Sequence, residues 1–138
     1  MELIKYNHKS HSELWDKFVT NHDLGSVYHL SAWKKIIEKT YNIKSEYFII
    51  NDNKNIIGIA PFFKLKNPVK KIWLSLPYVS YAGILSNSKI SLKDFIKKIK
   101  DPPKKIISRK LIQKKTNSKV VTMKISLGGT KDEFWEKL

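Results

Sequence analysis

Glu46-Tyr47-Phe48-Ile49-Ile50-Asn51-Asp52-Asn53-Lys54-Asn55-Ile56-Ile57-Gly58-Ile59-Ala60 holds two runs of β-branched and aromatic residues around a centre, Asn51 to Asn55, rich in turn formers. Such runs suit a pleated, half-buried surface, and Asn and Asp tolerate the left-handed backbone of a tight turn. The stretch predicts a β-hairpin and therefore a sheet. Asn67-Pro68 marks the next turn, and Lys71 to Leu76 reads as a third strand of a meander. Pro61 offers no N–H to a ladder, so within its strand it predicts an edge, a bulge or a break that faces a ligand.

Upstream, Glu2 to Tyr6 alternates as an edge strand would, and Ser10-His11-Ser12-Glu13 fits a capping box that opens a helix. Leu14, Trp15, Phe18 and Val19 then share one face, and Asp23-Leu24-Gly25 ends the helix. A second helix is predicted from about Ser31, with Trp33, Ile36, Ile37 and Tyr41 at helical spacing. Downstream, Ser91 to Lys100 returns to that spacing through Leu92, Phe95, Ile96 and Ile99, until Asp101-Pro102-Pro103 stops it. A short strand follows near Lys105 to Leu111. Val121, Met123, Ile125 and Leu127 alternate with polar residues and predict a half-buried strand. Thr130-Lys131-Asp132-Glu133 then opens a helix carrying Phe134, Trp135 and Leu138. That helix runs about two turns with no stop signal, which predicts a continuation, or self-association through the apolar side it presents.

The whole, residues 1–138, reads as one α/β domain of the α+β kind: a mixed, mostly antiparallel sheet flanked by helices. With 41% hydrophobic and 12% aromatic residues the chain has the composition of a folded protein. No run approaches the ~18 apolar residues of a spanning helix, and the N-terminus lacks the apolar core of a secretory signal, so the expected address is cytoplasmic. The absence of cysteine excludes disulfides, thiol nucleophiles and cysteine-held zinc, and none of the four histidines pairs as His-x-x-x-His on a helix beside a Glu, which disfavours metal catalysis. The formal net charge is +15, but Arg109 is the only arginine among 27 basic residues. Lysine meets phosphate as a point charge, whereas bidentate readout and stacking favour arginine. Residues 89–124 concentrate that charge, which offers RNA or another polyanion a surface or is simply a solvated lysine-rich face.

Three pieces stand in a telling order: Val27-Tyr28-His29-Leu30-Ser31-Ala32-Trp33, then Gly58-Ile59-Ala60-Pro61-Phe62-Phe63, then Leu76-Pro77-Tyr78-Val79-Ser80-Tyr81-Ala82-Gly83-Ile84. Together they resemble the N-terminal region of FemAB-like proteins, especially the branch associated with exosortase and exopolysaccharide systems. The likeness runs from Leu14 to Trp135 and covers about half of the usual family length. It implies a GNAT-like fold, transfer of acyl or aminoacyl groups to amines, and a second GNAT-like unit beyond this one. It also implies a donor, acyl-CoA or aminoacyl-tRNA, and a small-molecule or cell-envelope precursor as acceptor. Two departures concern the substrate. Ile37 stands four residues after Trp33 where the peptidoglycan branch has lysine, and Ile106-Ile107-Ser108-Arg109 keeps the arginine of a Glu-and-Arg pair without its Glu. No Gly-rich turn for a coenzyme A pyrophosphate is present, Gly128-Gly129 being the nearest approximation, so no cofactor is identifiable from the residues themselves.

Six residues are candidates for substrate binding; none is assigned a catalytic role. Tyr78 and Tyr81 lie in a loop after a strand, where phenols line a pocket or donate protons, or else cap a core edge with the hydroxyl in water. Gly83 gives a ligand access to the backbone or satisfies a turn. His29 acts as a base or caps a loop, and Trp33 stacks a ligand or packs in the core. Arg109 anchors a carboxylate or phosphate, or makes a structural ion pair. Three functions follow: the acceptor-side half of a FemAB-like transferase, a basic module for RNA or another polyanion, and an inactive truncated remnant.

Overall fold

The structure, a computed structural model, describes residues 1–108 apart from Lys54, Pro68 and Ser80. Arg109, the expected strand Val121 to Leu127, Gly128-Gly129 and the helix from Thr130 lie outside the described residues. The elements are β1 (Glu2–Lys5), α1 (His8–Thr20), a 3-10 turn (Val27–His29), α2 (Ser31–Tyr41), β2 (Ser45–Asp52), β3 (Asn55–Leu65), β4 (Ile72–Ser75), β5 (Leu85–Ser86), α3 (Leu92–Lys97) and β6 (Lys105–Ile107). The sheet is six-stranded in the order β1-β2-β3-β4-β6, with β5 also on β3. Every pair is antiparallel except β4 with β6, which is parallel. The chain is thus α+β with a mixed, mostly antiparallel sheet.

Residues 46–50 of β2 and 58–63 of β3 are buried without a break, because both faces of the hairpin are covered. On one face Tyr47, Ile49, Ile59 and Phe63 meet Trp15 and Val19 of α1 and Ile37 of α2. On the other, Phe48, Ile50, Ala60 and Phe62 meet Trp73 of β4 and Phe95 of α3. A register shift at Ile50/Asn51 pairs Gly58 with Ile50 and Ile56 with Asn51, leaving Ile57 as the extra residue of a β-bulge. The bulge is why Ile56 and Ile59, three apart, pack on the same cluster while Ile57 turns to the other.

The hairpin is tighter than its composition suggests. Asp52 pairs with Asn55, and between them Asn53 takes a left-handed backbone at φ 47°. Pro61 sits neither at a sheet edge nor in the bulge. Lys64 N–H donates to Lys44 O at 2.8 Å, and alternation along the pair makes Tyr47↔Pro61 a non-hydrogen-bonded position. The nitrogen of Pro61 therefore faces away from β2. On that side β5 pairs with Gly58 and Ile59, and β4 begins at Phe62, so proline occupies the gap between two partners.

Several expected boundaries move. Helix α1 begins at His8, because the Asn7 side chain accepts from Lys9 N at 2.9 Å and caps it, which puts Ser10 inside the first turn. It ends at Thr20, ahead of the Asp23-Leu24-Gly25 turn, and α3 ends at Lys97. On the predicted stripes Leu14, Ile36 and Tyr41 are exposed, and only Trp15, Val19 and Ile37 are buried. Among the described residues no helix is long and apolar enough to cross a membrane.

Candidate functional site

A cleft of about 460 Å³ opens beside β5, between the turn that follows α1 and the start of α3. Its inner wall exists because β5 lies close on β3 at Gly58. A Cβ there would stand 2.7 Å from the carbonyl oxygen of Leu85 and 3.1 Å from Cβ of Ser86, so only glycine permits the approach. Ser86 fixes the corner above it, its hydroxyl donating to the carbonyl of Ile57 at 2.9 Å and accepting from Ser88 N at 3.1 Å.

His29, 1% exposed, comes from the 3-10 turn. Its Nδ1 is hydrogen-bonded to Ser26 Oγ at 2.8 Å, and its carbonyl accepts from Trp15 Nε1 at 2.6 Å, which fastens the turn to α1. Tyr81, Gly83 and Ile84 line the cleft from the loop before β5. His22 closes one side. Its Nδ1 accepts from Leu24 N at 3.0 Å, so that nitrogen carries no hydrogen and Nε2–H is left as a donor. Gly25 holds the same turn: its N–H donates to His22 O at 2.7 Å, and a Cβ would collide with the carbonyl oxygen of Val19 at 2.0 Å. Opposite, Ser91 caps α3 by accepting from Asp94 N at 3.0 Å, and its hydroxyl donates to the Asp94 carboxylate. Asp94 and Lys89 are the charged residues of the lining. The arrangement can hold an ammonium at Asp94, an anion at Lys89, and hydroxyls or carbonyls between them.

Of the six candidates the structure brings His29, Tyr81 and Gly83 together. Trp33 stands back from the cleft, packed against the core and edge-on to Tyr28 at 5.2 Å, and Tyr28 in turn meets Tyr81 at 6.3 Å. Tyr78 lies outside it, 63% exposed at φ 63° and stacked on Tyr41 at 4.0 Å. Arg109 is outside the described residues. Asp94, His22 and Ser86 were not candidates. The Ser91-x-x-Asp94 capping pattern was a signal for the first, while the contact of β5 with Gly58 has no local signature.

The cleft continues into a second one of about 470 Å³ between α1 and the far end of the hairpin, floored by Ile49 and Ile56 and flanked by Leu14 and Phe18. A recess of about 400 Å³ lies between them, sharing Ser86 and His22 with the first and Asn21 and Asn87 with the second. The result is a trench along one side of α1.

Charged side chains away from the trench brace the fold. Asp16 of α1 accepts from Ser31 N at 2.6 Å and Ser31 Oγ at 2.7 Å, placing a carboxylate at the start of α2. Glu46, 7% exposed, bridges Lys5 of β1 at 3.2 Å and Lys64 of β3 at 2.5 Å. Burial pushes its carboxyl up, but the hydrogen bonds and charges of Lys64 and Lys5 outweigh that and hold it below the usual range. Burial raises the Tyr47 phenol well above the ordinary tyrosine range, with Glu38 and Tyr6 adding to it. No protein-family model, curated protein or solved structure matches the chain.

Proposed function

We propose that this chain forms the acceptor side of a FemAB-like acyl or aminoacyl transferase, and that the cleft beside β5 holds an amine-bearing acceptor. One observation supports the reading. The three segments that carry the resemblance converge there: Val27–Trp33 supplies His29, Leu76–Ile84 supplies Tyr81 and Gly83, and Gly58–Phe63 supplies the strand on which the wall formed by β5 rests. Pieces scattered from Val27 to Ile84 thus share one site.

In this reading Asp94 receives the ammonium of the acceptor, Lys89 an anionic group of a cell-envelope or polysaccharide-related compound, and Tyr81 and the His22 Nε2–H its hydroxyls or carbonyls. The ammonium releases one proton to solvent, the lone pair of the free amine attacks the donor carbonyl carbon, and the bond to the coenzyme A sulfur or the tRNA ribose oxygen breaks, the departing atom taking up the second proton of the amine. The residues of the cleft bind and orient; none is assigned as the base. The purified chain, titrated with a lysine-containing peptide, is expected to bind it, with affinity about two- to fivefold lower in Asp94→Asn, the range of a partly solvated charge pair. With acetyl-CoA or aminoacyl-tRNA added, the isolated chain should show little transfer. Robust turnover overturns the acceptor-side assignment, and an unchanged affinity in Asp94→Asn removes the cleft from it.

A further inference from the structure

Charge is divided unequally between the two layers that cover the sheet. The layer of α1, the 3-10 turn and α2, residues 8–44, has six lysines and four carboxylates. On the other side, residues 89–105, which hold α3 and the connection to β6, have seven lysines and two aspartates. The turn between β3 and β4, residues 66–71, adds three lysines and no acid. The fold brings this turn beside that connection, thirty residues further along the chain: Lys104 N–H donates to Lys71 O at 2.9 Å, Lys71 Nζ pairs with Asp101, and Ile72 lies opposite Lys105 in the parallel pair. Asp101 is therefore already matched by Lys71. Asp94 faces the cleft and is engaged by Ser91.

The remaining lysines have no such partners in number. Lys93 and Lys97 of α3 and Lys98, which caps it, are exposed, as are Lys66 and Lys70 at the turn. No arginine occurs among residues 1–108, so the described part of this face has no planar fork for reading phosphate or base edges. Among the described residues the exposed tyrosines, Tyr41 and Tyr78, stack on each other at α2, and the exposed large apolar side chain on the lysine face is Val69, 77% exposed in the turn. Strand-tracking proteins need aromatic platforms for bases. Diffuse point charges around one apolar tip suit a sheet of anionic headgroups, which asks for neither forks nor stacking.

We propose that the face built from α3, the connection to β6 and the β3–β4 turn docks peripherally on an anionic lipid bilayer, with Val69 at the headgroup boundary. This stands apart from the acceptor cleft and does not depend on it. Each lysine that reaches such a surface strengthens binding roughly fivefold. The full chain is expected to co-sediment with phosphatidylcholine vesicles containing phosphatidylglycerol and not with phosphatidylcholine alone, and to be released by salt. The triple variant Lys93→Glu, Lys97→Glu, Lys98→Glu should lose on the order of a hundredfold or more. Its counterpart on the opposite layer, Lys9→Glu, Lys35→Glu, Lys39→Glu, changes net charge equally and should lose only a few fold. Equal losses in the two triples would show that net charge alone is felt, and would overturn the proposal. So would indifference to phosphatidylglycerol, a comparison that needs no variant, and so would displacement of the chain from vesicles by equimolar duplex RNA, which would assign the face to nucleic acid.

Discussion

Single side chains fasten this fold at points that no local pattern announces. Asp16 looks like a solvent-facing residue of an amphipathic helix, yet it caps a different helix fifteen residues away. Glu46 begins an apolar strand and would pass for an edge charge, yet it is buried between lysines of both neighbouring strands. Its folded carboxyl is held below its unfolded value, so its contribution to stability is present above the unfolded range of about 4.3 and is lost as pH falls through the folded value. The midpoint of thermal unfolding should therefore drop as pH is lowered from about 6 to about 3, and Glu46→Gln should flatten that dependence while lowering the midpoint at neutral pH. An identical pH profile in Glu46→Gln would show that the pair with Lys64 and Lys5 does not act this way.

At the scale of elements, the hairpin, the meander, the edge strand and both long helices are legible because each follows from a short-range period. What the sequence misplaced depended on contacts or on single atoms. The start of α1 hinged on one asparagine oxygen, and the stripe of α2 looked wider than the sheet could cover, leaving Ile36 and Tyr41 in water. Strand β5, two residues long, has no period at all; it forms because Gly58 lets it approach and the pairing of β4 with β3 stops at Phe62, short of Pro61. Gly58→Ala puts a methyl group against a backbone oxygen, so β5 must shift from β3. We expect a loss of about 1–3 kcal/mol, read by denaturant unfolding, together with faster hydrogen exchange at Ser86 and Asn87. A variant as stable as the wild type, with those amides still protected, would mean that the wall of the cleft does not rest on this contact.

Across the described residues, two helices cover one face of the sheet and one short helix the other, and the functional features separate accordingly. The trench follows α1, with the acceptor cleft at its β5 end and the second cleft at the hairpin end; the lysine face lies on the side of α3. Half of the candidate site was legible: His29, Tyr81 and Gly83 share the cleft, because loops after strands and turns before helices gather at the same ends of a sheet. Tyr78, three residues before Tyr81, points elsewhere, since its positive φ turns it onto Tyr41. The most direct test of the account is amide chemical-shift mapping of the full chain titrated with a lysine-containing peptide and, in parallel, with the same peptide acetylated on its side-chain amine. The account predicts that Tyr81, Gly83, Ser86, Ser88 and Asp94 respond to the free amine and much less to the acetylated form. Strongest shifts at Leu14, Phe18 and Asn51, or equal responses to both peptides, would contradict it.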